Sequence, residues 1–277
     1  RTEILWDRYG VPHIYAADRE SMFYAHGWAQ MRNQADLLLR LYGESRGRAA
    51  EYWGGDANLE LDRWVQLNGV PERARSWYDA QDPAFRKYLD EFARGINDFA
   101  SKNPRAIGPE YRPVLPVSGV DVVQHSLRAV HYGYMGSRAR MNTEVGALTR
   151  NAGVGRAAAE DLRRERRGAT GPRERAAGAG LGAPATEEAG SNTWAIGPAR
   201  SASGNAMLII NPHLAWGNTF YRYMQVHLVG PGYDQVGTPQ VGFPVAVVGF
   251  NRHTGWGRTV NTIDTVDFYR LTVRDGQ

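Results

Sequence analysis

The chain has 277 residues, 42% hydrophobic and 11% aromatic, enough for a substantial core in one large domain or two small ones. Its formal charge is +4, yet the densest arginine cluster lies in an aromatic-free segment and basic residues elsewhere alternate with acids, which argues against a nucleic-acid surface. The absence of cysteine excludes disulfides, thiolate nucleophiles and cysteine-based zinc sites, and no apolar run reaches the length of a membrane-crossing helix.

Residues 1–19 predict a strand, a turn at Tyr9-Gly10 and a second strand ending near Tyr15. A helical pattern follows over 20–42, with Met22, Phe23, Ala29, Leu37, Leu38 and Leu41 among its apolar positions. The stretch "DPAFRKYLDEFARGINDFA" predicts the clearest helix. Asp82 caps it, Pro83 takes its first position, and Phe85, Tyr88, Leu89, Phe92, Ile96 and Phe99 share one face. Another helix is expected over 119–135. Residues 152–190 hold no aromatic residue and seven arginines, with Val154, Leu162 and Leu181 their only larger aliphatics. Such a segment buries too little apolar surface to offset its ordering entropy, so it reads as a linker. From Ser191 onward the pattern is β, with strands expected over 193–197, 206–210, 221–229, 245–249, 254–260 and 267–273. The division is therefore a helix-rich region 1–151, a spacer 152–190, and an antiparallel β region 191–277, an α+β chain.

"GESRG", residues 43–47, matches the spacing of a nucleophile elbow, but that motif must leave a buried strand, and here "LLLRLY" precedes it on a helical pattern. It reads as a loop after a helix. No phosphate loop, dinucleotide fingerprint or paired-histidine zinc motif is present. His13, His26, His125, His131, His227 and His253 read as structural side chains.

"GSNTW" carries more chemistry. If the Gly190–Ser191 bond is broken, Ser191 gains a free α-amine whose ordinary pKa is about 7.7–8.0. That amine can take the hydroxyl proton directly or through one water, so one residue supplies nucleophile and base. Gly190 suits the cleavage because it tolerates a strained backbone. Left uncut, Ser191 is an ordinary residue leading a strand, and the Gly-Ser pair alone does not choose between the two.

The surrounding blocks resemble the penicillin acylase and acyl-homoserine lactone acylase family of N-terminal nucleophile hydrolases. "DRYGVPHIYA" is similar to the opening of its α chain, and "AHGWAQMRNQADLLLRL" to its first long helix, with Met31 where an Asp is usual. "GSNTWAIGP" resembles the start of its β chain, and "NPHLAWG", "VGFNRHTGWGRT" and "NTIDTVDFY" resemble the next three blocks in order.

The resemblance implies an αββα sandwich and a periplasmic or secreted amidohydrolase, matured by self-cleavage into a heterodimer of α and β chains. By position, Ser191 would be the nucleophile, His213 would contact the new α-amine, and the Val260 N–H would form half of an oxyanion hole. The other half would be an Asn beyond Gln277, which makes this chain a portion of a longer protein. Met135, Arg138, Ala139 and Leu214 would line the acyl site. Aromatic-acid acylases place Phe at the positions of Ala139 and Leu214, so the smaller residues imply a longer aliphatic chain. A structural calcium would be held by Glu144, Asp264, the Val266 carbonyl and Asp267, an all-oxygen set suited to a hard cation. The alternatives are a penicillin G type acylase with an aromatic acyl pocket, and a non-catalytic binding protein retaining the fold.

Overall fold

The computed structural model describes residues 1–130, 191–214, 219–259 and Tyr269. The spacer expected over 152–190 lies outside them, as do the helical tail expected at 131–135 and the strand expected over 267–273. The architecture is α+β, with a helix-rich first half and antiparallel pairing throughout the described second half.

The chain opens with a hairpin, β1 (Glu3–Trp6) and β2 (Pro12–Tyr15). Its turn is fixed by Asp7, whose Oδ1 accepts from the Tyr9 and Val11 amides, and by Gly10 at φ 79°. Helix α1 (Arg19–Ser45) starts at Asp18, whose carboxylate accepts the Ser21 amide at 2.7 Å. Its three additional residues beyond position 42 correct the reading of "GESRG" as a loop. Gly43, Glu44 and Ser45 complete the helix, and the turn comes at Arg46 and Gly47, with Gly47 at φ 64°. Ser45 is fully buried and donates to the Leu41 carbonyl at 2.6 Å, so it is no exposed nucleophile.

Three helices that the sequence pattern did not suggest come next: α2 (Ala49–Trp53), α3 (Asp56–Leu67) and α4 (Val70–Asp79). Helix α5 (Pro83–Lys102) starts as expected, with Asp82 accepting from the Ala84 and Phe85 amides. Helix α6 (Gly119–Ala129) begins where it was expected. Helices α1 and α5 cross in near backbone contact. A Cβ on Gly27 would lie 2.1 Å from the Phe92 carbonyl oxygen, and one on Gly95 would lie 2.0 Å from that of Tyr24. The largest core cluster gathers around this crossing, including Leu38, Leu39, Phe92 and Ile96.

The second half supplies β3 (Ser191–Ile196), β4 (Met207–Pro212), β5 (Val226–Gly230), β6 (Tyr233–Thr238), β7 (Val248–Asn251) and β8 (Gly255–Trp256). A six-stranded sheet runs β1-β2-β5-β6-β7-β8, while β3 and β4 form a separate pair. The strand expected over 221–229 begins only at Val226, and β6 was not expected at all. The halves meet in the sheet through a parallel pairing, with His13 opposite His227 and Ile14 opposite Leu228. Ile14, Val226 and Leu228 face α1 and bury against Met22, Ala25 and Ala29.

A second contact between the halves is polar. The loop at 240–244 enters the helical layer and nearly every carbonyl it brings is met. Tyr42 Oη donates to Gly242 O and Gln30 Nε2 to Phe243 O, both at 2.8 Å. Gly242 N donates to Gln30 Oε1 at 2.8 Å. His125 Nε2 lies 3.1 Å from Val241 O, and His26 Nδ1 lies 3.2 Å from Pro244 O. Gly242 has φ 88°, and a Cβ there would sit 2.9 Å from the Tyr42 ring, so the close approach requires glycine.

Candidate active site

Ser191 is the first residue of β3 and is half-buried. The antiparallel register sets Ser191 opposite Pro212 and Asn192 opposite Asn211. His213 therefore follows directly on the residue that faces Ser191, so two of the residues singled out in the sequence come to one end of one hairpin. Leu214, expected in the acyl site, is the next residue and is half-buried.

The His213 imidazole is held by two side chains that sequence reasoning did not single out. Asn192 Nδ2 lies 3.0 Å from His213 Nε2, and Asn211 Nδ2 lies 3.3 Å from the same nitrogen. Both side-chain amides converge on one ring nitrogen, which fixes the orientation of the imidazole. The signal available in the sequence was compositional. Asn is depleted in strands, and each asparagine stands one residue outside a run expected as a strand, 193–197 or 206–210.

Side chains alternate across a strand, so Ser191 and Thr193 share the face opposite to Asn192. That face is packed by the chain after β8. A Cβ on Gly257 would lie 2.8 Å from Ile210 Cγ1 and 3.2 Å from Thr193 Cγ2, so the bare backbone at Gly257 allows the close approach. Val260, the expected oxyanion donor, follows but lies outside the described residues. So do Gly190, the acyl-site residues Met135, Arg138 and Ala139, and the calcium set Glu144, Asp264, Val266 and Asp267. Among the described residues, no group of three or more His, Asp or Glu side chains could hold a metal ion. No described helix is long and apolar enough to cross a membrane.

Comparison with known proteins gives a consistent result. A family model described as penicillin amidase matches residues 1–277. An acyl-homoserine lactone acylase PvdQ of Pseudomonas putida is 29% identical over 283 residues, covering 97% of this chain and 34% of that protein. An aculeacin-A acylase of Actinoplanes utahensis is 27% identical over 284 residues, covering 97% and 34%. The chain thus spans about one third of the length of these curated relatives. A solved thermostable penicillin G acylase from Alcaligenes faecalis is 22% identical, with a TM-score of 0.45, over 58% of this chain and 90% of that one.

Proposed function

The chain belongs to the penicillin amidase family, and on that footing we propose that it carries the nucleophile-bearing part of an N-terminal serine amidohydrolase that removes an acyl chain from an N-acyl amide. Ser191, freed by scission of the Gly190–Ser191 bond, attacks the amide carbonyl. Its own α-amine takes the hydroxyl proton and passes it to the leaving amine. Water then resolves the acyl-ester through the same amine. The observation that carries this reading is the register of β3 against β4, which brings His213, fixed by Asn192 and Asn211, to the end of the strand that Ser191 begins.

The small side chains of Ala139 and Leu214, where aromatic-acid acylases place Phe, favour a long aliphatic acyl group over an aromatic one. The complete protein would act outside the cytoplasm as a processed heterodimer. The test is maturation of the full-length protein. N-terminal sequencing should find the β chain starting at Ser191, and Ser191→Ala should leave the precursor uncut and inactive. A mature chain that starts elsewhere, or an uncut protein with full activity, removes the mechanism.

A further inference from the structure

A cavity of about 270 Å³ lies between the start of α1, the start of α5 and the helical side of β5 and β6. None of its lining residues belongs to the Ser191 hairpin, whose Leu208, Ile210 and Thr193 lie beside Gly255 and Gly257. Met22, Leu228 and Val245 give it aliphatic walls, and Phe23, Phe85 and Tyr88 give it aromatic ones. Phe23 and Tyr88 stack at 5.0 Å, which stiffens that side. His26 also reaches the wall, but Pro244 O and Gln30 occupy its two nitrogens, so it contributes carbon surface. Tyr233 spends its hydroxyl proton on Gln235.

One charged group lines the cavity, Arg19, an exposed residue in the first turn of α1. Its neighbour Glu20 is engaged with Lys87 at 2.7 Å. Among the described residues Arg19 has no carboxylate partner. The helix terminus itself is not the anion holder, because Asp18 and Ser21 already cap it. An apolar chamber with a single unpaired guanidinium selects a ligand with an apolar body and one anionic end. At about 30 Å³ for each water-sized volume, the space admits roughly nine heavy atoms.

We propose that this cavity is a second ligand site, which binds an unbranched carboxylate of about eight carbons with its head group on Arg19. It is independent of the hydrolytic reading, since binding here needs neither Ser191 nor a cleaved chain.

The experiment is calorimetric titration of the full-length protein with octanoate, hexanoate and octylammonium. Octanoate should bind saturably. Hexanoate, two methylenes shorter, should bind about tenfold more weakly, and octylammonium should not bind at this site. Arg19→Gln, at an exposed position, should weaken octanoate about tenfold. Val245→Trp should fill the chamber and abolish the site. Both variants should hydrolyse amide substrates at the parental rate. Unchanged octanoate affinity in both variants, no saturable binding, or octylammonium binding as tightly as octanoate through Arg19 would each overturn the proposal.

Discussion

Acid should unfold this protein through two buried histidines well before its carboxylates are exhausted. His26 and His125 are essentially inaccessible, at 1% and 0% exposure. Burial lowers the pKa of His26 to about 4. Burial, and then the charge of Arg128, lowers that of His125 to about 3. For His26 one hydrogen bond adds to the effect of burial. His26 Nε2 receives an N–H from Gln30 at 3.0 Å, and that amide cannot turn to present its oxygen. Its Oε1 holds Gly242 N, and its Nε2 also donates to Phe243 O. A protonated His26 would set one donor against another. In the unfolded chain both rings protonate near pH 6.5. Below that pH the unfolded state binds protons that the native state refuses, and stability falls by about 1.4 kcal/mol per pH unit for each histidine. Between pH 6.5 and pH 4.5 the pair removes about 5 kcal/mol, the whole stability of a marginal domain. The decline should level off for His26 near pH 4 and for His125 near pH 3.

The assay is urea unfolding of the full-length protein, followed by tryptophan fluorescence at pH 7.5, 6.0 and 4.5. His125→Gln keeps a donor toward Val241 but cannot titrate, so it should lower stability at pH 7.5 and reduce the slope below pH 6.5 by about half. An unfolding free energy that is the same at pH 7.5 and pH 4.5, or imidazole resonances for both rings titrating near pH 6.5 in the native state, would refute the reasoning.

Three further outcomes are expected. Gly95→Ala should force α1 and α5 apart, because its Cβ would meet the Tyr24 carbonyl oxygen at 2.0 Å, and thermal unfolding should show a loss of about 1–3 kcal/mol or more. Glu44→Gln should cost about 3–5 kcal/mol, read by urea unfolding, since it removes the carboxylate charge that meets the fully buried Arg128 at 2.6 Å. Ala139→Phe should shorten the preferred acyl chain when hydrolysis rates are compared across chain lengths, and turnover of phenylacetyl amides by the parent protein equal to that of long-chain amides would remove the pocket argument.

What the sequence made legible depended on whether burial and polarity agreed. Helix α5 was readable because its cap, its proline and a single apolar stripe coincide. Strand β6 was not, because two of its buried positions are Gln235 and Gly237, so the period of burial carries no hydrophobic signal. Helices α3 and α4 bury narrow faces around Val65, Val70 and Ala74, interrupted by the Asn68-Gly69 turn. Tyr221 and Tyr223 suggested strand by propensity, but Tyr221 closes a short 3₁₀ turn and Tyr223 makes only an isolated bridge to Gln240. At the candidate site, Ser191 stood out through the change in composition before it. The asparagines around His213 did not, because their meeting depends on a strand register that no local pattern encodes.

The seam between the two halves bears on the order of events in the proposed maturation. A cut between Gly190 and Ser191 would leave no covalent link between α1 and the loop at 240–244. Yet Gln30, His26, Tyr42 and His125 are buried polar residues whose partners are that loop's backbone groups. Each would cost about 1–3 kcal/mol if left buried and unsatisfied. The apolar side of the seam is divided in the same way, with Met22, Ala25 and Ala29 on one piece and Val226 and Leu228 on the other. Neither piece can complete its core alone. The parallel pairing of β2 with β5 adds a register that two free chains would have to find by collision, whereas one continuous chain finds it within a single molecule. If the proposed scission takes place, folding would therefore precede it, and the intact precursor would be the species that acquires the seam. Once formed, the seam would hold the cut pieces together by the same burial that required both of them.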